Sequence, residues 1–260
     1  MSIPTETYEA VFEQYSVAMR WMTALGIKLD PGRTSHYEKI VRHWKDAYKT
    51  ATADDGQQIF PDFISSMFEV FDFVSIHKAF EGVPAQQLTS IIEKLQKGVN
   101  GPINAADETP DSTAARNFLF EAVVAAKAHR PDKGIEAILD ARSDTGIGLN
   151  GKKIWVECKR VTNVDKIESN ARKASSQLET ILAGEVGSGN RGIVALDVSK
   201  ILNRGDKIIG TIVRFSFMAS SEARNLLVHA SQWAMNPRVG IATSDEQIQR
   251  QLVAALATTP

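Results

Sequence analysis

Cysteine is almost absent from this chain: Cys158 is the only one among 260 residues. A single cysteine excludes an internal disulfide framework and any zinc site built on several cysteines, and it is typical of the reducing cytosol. Long apolar runs are also lacking, since no segment approaches the roughly 18 uninterrupted apolar residues of a membrane span. The first residues, MSIPTETYEA, lack the basic and apolar regions of a secretory signal. We therefore expect a cytoplasmic protein with no membrane partner.

Charge of one sign is not in excess either. The formal net charge is −1, so a nucleic acid would have to be bound by a local patch rather than by an overall positive field. The five histidines show neither the spacing of zinc ligands nor a cysteine partner for nucleophilic catalysis. What is present is an ordinary globular composition, 43% hydrophobic and 23% charged, which suits one large domain or two modest ones.

The first hundred residues have the apolar spacing of helices. Breaks at LDPG, ADDG, FEGVP and VNGP divide them into four segments. Aromatic residues crowd this part, which indicates the packed core of a helical bundle or, alternatively, an aromatic docking face for a partner. We predict an all-helical N-terminal domain over residues 1–105. Its helices are predicted at Tyr8 to Leu25, Ser35 to Ala51, Pro61 to Phe80 and Pro84 to Lys97.

A polar stretch with proline and glycine, NGPINAADETPDS at residues 100–112, is predicted to connect this domain to a second one over residues 106–260. The pattern there is mixed: a helix from Ser112 to Arg130, strands in GIEAILDAR, DTGIGLN and KIWVECKRV, a helix from Lys166 to Leu182, and a buried strand in RGIVALDVS. The sequence NGK between the second and third strands indicates a tight hairpin. Further on, we predict helices at Ser220 to Trp233 and Asp245 to Ala257, with a short strand in RVGIAT between them.

The third strand carries two opposite charges, Glu157 and Lys159, within an apolar run. Side chains two residues apart on a strand point to the same face, so these two share a surface while Val156 and Cys158 face the other side. Because the E-x-K triplet is short and common, a plain salt bridge explains most of its occurrences. By the same alternation, Cys158 is predicted to be a small core residue.

The surroundings of the triplet favour a functional interpretation. Asp144 lies at the entry of the preceding strand, and a hairpin turning at LNGKK would bring it next to Glu157. Two adjacent carboxylates repel each other unless a divalent cation such as Mg²⁺ lies between them. Lys159 would then orient or deprotonate a nucleophilic water, or neutralise a phosphate in the transition state. This chemistry cleaves phosphodiesters.

The arrangement resembles the PD-(D/E)XK nuclease superfamily over about residues 112–199. The shared features are the order helix, three strands, helix, strand, with an acid in the first helix, an aspartate before the second strand and E-x-K on the third. The resemblance implies that Glu121 is the helix acid, Asp144 the metal-binding aspartate, and Glu157 and Lys159 the E-x-K pair. It implies that Gln177 matches a polar residue of the second helix near the metal site. Serine replaces the proline of the PD motif.

The implied fold class is α/β, a restriction-endonuclease-like αβββαβ core with an all-helical N-terminal region. The implied catalytic residues are Glu121, Asp144, Glu157 and Lys159, and the three acids among them are the implied ligands of Mg²⁺, for which Mn²⁺ would substitute.

Several assignments have an alternative. Asp140 competes with Asp144 for the aspartate position, although it would require a longer hairpin. Glu121 also fits the polar side of an amphipathic helix, and Gln177 fits an ordinary surface position.

Residues 151–175 contain seven Lys or Arg against three Asp or Glu, which a solvated face explains and a groove for a phosphate backbone explains as well. The position beside the predicted metal site favours the groove. Its predicted nucleic-acid contacts are Arg160, Lys166, Lys173 and Gln177.

We therefore expect a metal-dependent endonuclease or phosphodiesterase, a hydrolase whose expected substrate is DNA rather than RNA, in restriction, repair or phage defence. The N-terminal helices would supply substrate selection, homodimerisation or contact with a protein partner. The alternative is a nuclease-fold module that binds or assembles without turnover, and cation binding would distinguish the two.

Overall fold

The computed structural model of the chain describes residues 6–29, 32–139 and 142–202. It has a helical N-terminal region followed by a mixed α/β part, with seven α-helices and four strands among the described residues. The predicted mixed α/β class is confirmed. The elements predicted beyond residue 202, and Asp140, lie outside the described residues. No described helix is long and apolar enough to cross a membrane.

The helical region contains four helices, as the apolar spacing predicts. Their bounds are α1 Tyr8–Ala24, α2 Arg33–Ala47, α3 Ala53–Phe80 and α4 Thr89–Gly98. A 3₁₀ turn, Ala85–Gln87, occupies the predicted start of the fourth helix. Helix α3 begins eight residues before the predicted start at Pro61, so the interpretation of ADDG as a break was wrong. Thr52 and Asp55 form a reciprocal capping box there, which makes ADDG the first turn of the helix.

The second part follows the predicted order of helix, three strands, helix and strand. The elements are α5 Ala114–Ala128, β1 Ile135–Ile138, β2 Thr145–Leu149, β3 Lys152–Arg160, α6 Ile167–Ala183, β4 Arg191–Asp197 and the short helix α7 Ser199–Leu202. Strands β1, β2 and β3 are antiparallel neighbours, and β4 lies parallel to β3 after the crossover helix α6.

The β2–β3 hairpin sets the register that matters for the site. Asn150 and Gly151 have φ of 50° and 74°, the left-handed values that a tight two-residue turn requires. Leu149 therefore pairs with Lys152, and Thr145 with Val156. Because the strands are antiparallel, the residue before Thr145 lies opposite the residue after Val156. Asp144 is therefore beside Glu157, as the hairpin prediction requires.

Helix α5 packs on both parts of the molecule. Leu119, Ala122 and Ala126 belong to the core that α1–α4 enclose. Phe120 and Val124 pack against a second cluster on the sheet, formed by Val156, Cys158 and Ala195. The division predicted near residue 105 is thus bridged by a helix with apolar residues directed at both cores.

Six buried charged side chains form a continuous series of ion pairs, here called the ionic chain, which runs from α2 to β4. Each of these side chains is 5% exposed or less. The central member, Glu108, accepts from Arg116 at 3.3 Å and from Arg160 at 2.6 Å, and Lys200 approaches it at 3.4 Å. In order, the chain consists of Arg33, Glu69, Arg116, Glu108, Arg160 and Asp197.

Gly146 leaves room for the largest fully buried side chain of the sheet. A Cβ at this position would lie 2.9 Å from Trp155 Cε3 and 3.1 Å from Ile138 Cβ. Trp155 cannot move away easily, because it is buried and its Nε1 donates to Glu185 at 2.8 Å. We expect Gly146→Ala to lower the free energy of unfolding by about 1–3 kcal/mol, measured by urea denaturation.

Gly148 on the same strand is the matched control. A Cβ there would have its nearest neighbour at 3.7 Å, an ordinary contact, so Gly148→Ala should change the free energy of unfolding by less than about 1 kcal/mol. Equal losses in the two variants would show that contact with Trp155 is not the cause.

Candidate functional site

The E-x-K pair lies on β3, with the predicted division of faces. Val156 and Cys158 are buried under α5. On the opposite face, Lys159 Nζ donates to Glu157 Oε2 at 3.1 Å. Trp155 lies on the same face as Glu157 and Lys159, because side chains two residues apart on a strand share a face. Its partner on β4, Gly192, lies against Leu178 of α6, so α6 covers this second face. The prediction that Cys158 is a small core residue is confirmed by its 6% exposure.

Asp144, the residue immediately before β2, lies beside this pair. Its Oδ2 accepts from the backbone N–H of Cys158 at 2.7 Å and lies 3.6 Å from Lys159 Nζ. Glu157 Oε2 lies 3.1 Å from the same Lys159 Nζ. Asp144, Glu157 and Lys159 therefore meet at one point on adjacent strands.

The electrostatics of Glu157 are those of a crowded carboxylate. Burial raises the pKa of Glu157, and the Asp144 carboxylate raises this pKa further. Lys159 acts in the opposite direction by its hydrogen bond and its charge, without cancelling the shift. Ionisation of Glu157 is therefore less favourable than in a free glutamate side chain, and a bound cation would favour it.

Glu121 of α5 is near enough for its charge to interact with those of Asp144 and Lys159. Its pKa is raised, first by burial and then by the Asp144 carboxylate, while Lys94 and Lys159 oppose the shift. Its side chain is held by an ion pair with Lys94 of α4, and both side chains are 13% exposed. The five residues Lys94, Glu121, Asp144, Glu157 and Lys159 are called the carboxylate cluster below.

The donors of the cluster can be compared with what Mg²⁺ requires. Asp144 and Glu157 offer two adjacent carboxylates, which suit an ion that commonly takes one or two carboxylates and completes its shell with waters or substrate phosphate. Within residues 6–29, 32–139 and 142–202, however, no group of three or more His, Cys, Asp or Glu is gathered closely enough to hold a metal. The third acid, Glu121, is engaged by Lys94. The residues present therefore fit a site with two carboxylates, those of Asp144 and Glu157.

Arg160 is buried, and not at the surface as its predicted role requires. The sequence predicts it as a nucleic-acid contact, but its side chain is 2% exposed and is engaged by Glu108 and by Asp197, the latter at 3.0 Å. A buried guanidinium with two carboxylate partners is not available to a phosphate backbone. This prediction is corrected: Arg160 is a member of the ionic chain.

The other predicted nucleic-acid contacts lie at the surface of the α6 region. Lys166 is exposed in the turn before α6, and Lys173 and Gln177 are exposed on the helix itself. Lys173 and Gln177 are four residues apart and so share one side of α6. The buried side of the helix consists of Ile167, Ala171, Ala174 and Leu178.

Lys94 is the member of the cluster that sequence reasoning missed. It lies in the helical region, 27 residues before its partner Glu121. Its role depends on the packing of α4 against α5, for which the sequence offers no local signal. Glu108 was missed for the same reason, because its partners lie on α5, β3 and α7, which only the tertiary fold brings together.

No family model, no curated protein and no solved structure matches this chain.

Proposed function

We propose that this chain is a Mg²⁺-dependent nuclease with a restriction-endonuclease-like fold of the PD-(D/E)XK type. The order α5, β1, β2, β3, α6, β4 supports the fold, because it is the order that the superfamily resemblance implies. One observation carries the activity: the Lys159 ammonium contacts both Glu157 and Asp144, at 3.1 Å and 3.6 Å, where β2 and β3 bring the two acids together.

Each residue then has a separate task. Asp144 and Glu157 would hold the cation. When bound, Mg²⁺ would supply Lewis-acid activation of the phosphate and of the attacking water. Lys159, 17% exposed and beside both acids, would orient that water or neutralise the phosphate charge that develops. The β2–β3 pairing holds these groups in place before substrate arrives, which reduces the entropic cost of reaching the reactive geometry.

The proposed substrate is DNA, in restriction, repair or phage defence. Exposed Lys166, Lys173 and Gln177 on the α6 region would contact its backbone, which makes binding sensitive to salt. Arg160 takes no part in this contact because it is buried in the ionic chain.

The direct test is cleavage of supercoiled plasmid DNA followed on a gel. With Mg²⁺ or Mn²⁺ we expect nicked or degraded product, and with EDTA we expect none, because the carboxylates act only through the ion. Asp144→Asn should lose cleavage, whereas Asp165→Asn, the same change at an exposed residue, should keep it. Cleavage that persists in EDTA or in Asp144→Asn would contradict the proposal.

A second candidate is a nuclease-fold module that binds or assembles without turnover. The observation in its favour is the Lys94–Glu121 ion pair, which leaves the cluster with two ammonium groups against three carboxylates. Such a module would bind no divalent cation. Calorimetric titration of the protein with Mn²⁺ separates the two candidates, since only the nuclease requires binding that Asp144→Asn abolishes.

A further inference from the structure

The side chains of the candidate site differ in how far they reach the solvent. Asp144 is 25% exposed and Lys159 is 17% exposed, whereas Glu157, on the face that α6 covers, is 4% exposed. A phosphate can therefore reach the site beside Asp144 and Lys159, from the side of the loop between β1 and β2. The strand that carries this phosphate must continue over the surface next to that loop.

Arg142 is an exposed cation on this loop, and a half-buried carboxylate holds it. It precedes Asp144 by two residues, so their Cα atoms are at most about 7 Å apart. Arg142 Nη1 donates to Glu185 Oε1 at 2.9 Å, and the two side chains are 61% and 12% exposed. The other oxygen of this carboxylate, Oε2, accepts from Trp155 Nε1 at 2.8 Å and from Asn190 Nδ2 at 2.7 Å. Glu185 therefore fixes the direction of Arg142 without covering it.

Most of the Arg142 guanidinium is available to a ligand. An arginine side chain has five N–H donors, and the ion pair uses Nη1 alone. Within residues 6–29, 32–139 and 142–202, Glu185 is the only hydrogen-bond or ion-pair partner of this guanidinium. Guanidinium groups bind phosphate oxygens through paired hydrogen bonds from such donors.

Lys153 extends the same basic surface along β3. It shares a face with Trp155 and Glu157, because alternate residues of a strand point to the same side. Its Nζ lies 5.4 Å from the centre of the Trp155 ring, whose Nε1 contacts Glu185. At about 3.3 Å per residue, Lys153 lies about 13 Å from Glu157 along the strand, which is the axial rise of roughly four nucleotides of DNA. Glu185 offsets only one of the two charges of Arg142 and Lys153.

We propose that Arg142 and Lys153 bind the phosphates of the DNA strand next to the scissile phosphate. The strand then runs from Lys159 past Asp144, over the loop between β1 and β2, to the C-terminal end of α6. This inference rests on the proposed function and adds a substrate contact beyond the exposed side of α6. Both residues bind substrate and do not act on the reacting atoms.

The test is the binding of a short fluorescent DNA duplex, followed by anisotropy in EDTA so that no strand is cut. Arg142→Gln and Lys153→Gln should each weaken binding by roughly tenfold, because each removes a charge-assisted hydrogen bond to phosphate. Each should also lower the slope of log Kd against log salt concentration by about 1, since one phosphate contact is lost. Arg142→Lys keeps a charge at this position and should keep the wild-type slope.

Two control variants remove the same charges elsewhere. Lys152 is adjacent to Lys153 but lies on the opposite face of β3, and its ammonium donates to the carbonyl of Ser188 at 2.8 Å. Arg42 is 57% exposed in its ion pair with Glu38, which makes it similar to the tested arginine. Lys152→Gln and Arg42→Gln should bind DNA as the wild type does. Melting temperatures verify that each variant is folded.

A purely structural ion pair would lower the melting temperature of Arg142→Gln and leave DNA affinity and salt slope unchanged. Wild-type affinity and slope in either test variant would overturn the contact of that residue. If Arg142→Gln does not fold, Lys153→Gln decides by the same criteria.

The outcomes separate the two proposals. If the wild type cleaves DNA with Mn²⁺ but Arg142→Gln and Lys153→Gln bind like the wild type, or if the wild type does not bind in EDTA, the inference fails and the proposed function stands. If the variants behave as expected and the wild type does not cleave, the phosphate contacts stand and the proposed function fails. If the wild type neither binds nor cleaves DNA, both fail.

Discussion

Glu157→Gln is expected to lose divalent-cation binding and nuclease activity together, whereas Lys159→Met is expected to lose activity alone. Glu157 supplies a carboxylate to the proposed site, so we expect its replacement to weaken Mn²⁺ binding by more than about 100-fold, beyond the typical effect of removing a residue that only supports a ligand. Lys159 contributes a positive charge next to that site, at 3.1 Å from Glu157 Oε2. Removing this charge should leave Mn²⁺ affinity unchanged or raise it.

The measurements are Mn²⁺ titration by calorimetry and plasmid cleavage at saturating Mn²⁺. Cleavage should fall by more than about 100-fold in both variants, as expected when a group that stabilises developing charge is removed. Lys152→Met is the control for the lysine change, because Lys152 is exposed at the other end of the same strand. Equal losses of Mn²⁺ affinity in Glu157→Gln and Lys159→Met would contradict the separate roles of the two residues.

The second large effect is expected at the centre of the ionic chain. Glu108→Gln keeps the shape of the side chain but removes the negative charge that faces Arg116, Arg160 and Lys200. Buried cations that lose a carboxylate partner keep their desolvation cost, and breaking such pairs typically costs about 3–5 kcal/mol. We expect a loss of that size in the free energy of unfolding, measured by urea denaturation.

An exposed pair provides the control for this change. Glu38 accepts from Arg42 on the surface of α2, where the two side chains are 37% and 57% exposed. Glu38→Gln should therefore change the free energy of unfolding by less than about 1 kcal/mol. If Glu108→Gln were no more destabilising than Glu38→Gln, the ionic chain would not be a source of stability.

Short-range patterns in the sequence predicted the hairpin and its consequence correctly. Asn150 and Gly151 are residues suited to left-handed backbone, and the turn they form fixes which residue of β2 meets Glu157. The register follows from the turn because strand pairing repeats at a fixed interval. Asp144 was therefore found beside Glu157 without knowledge of any tertiary contact outside the hairpin.

Other features depend on contacts that local patterns do not encode. The charge excess over residues 151–175 predicted Arg160 as a surface residue, yet the excess gives no information about burial, and Glu108 neutralises Arg160 from a segment 52 residues away. The start of α3 is a different case. Thr52 and Asp55 have the spacing of a capping box, but ADDG also has the composition of a break, and the helix was therefore predicted to start at Pro61.

Helix α5 determines how far the two parts of this protein can be treated as exchangeable modules. Leu119 and Ala122 face one core, and Phe120 and Val124 face the other, so a gene fragment that starts at residue 106 would carry an apolar stripe with its covering helices removed. Recombination that joined the sheet to an unrelated N-terminal region would meet the same difficulty. Inheritance should therefore keep the helical region and the sheet together.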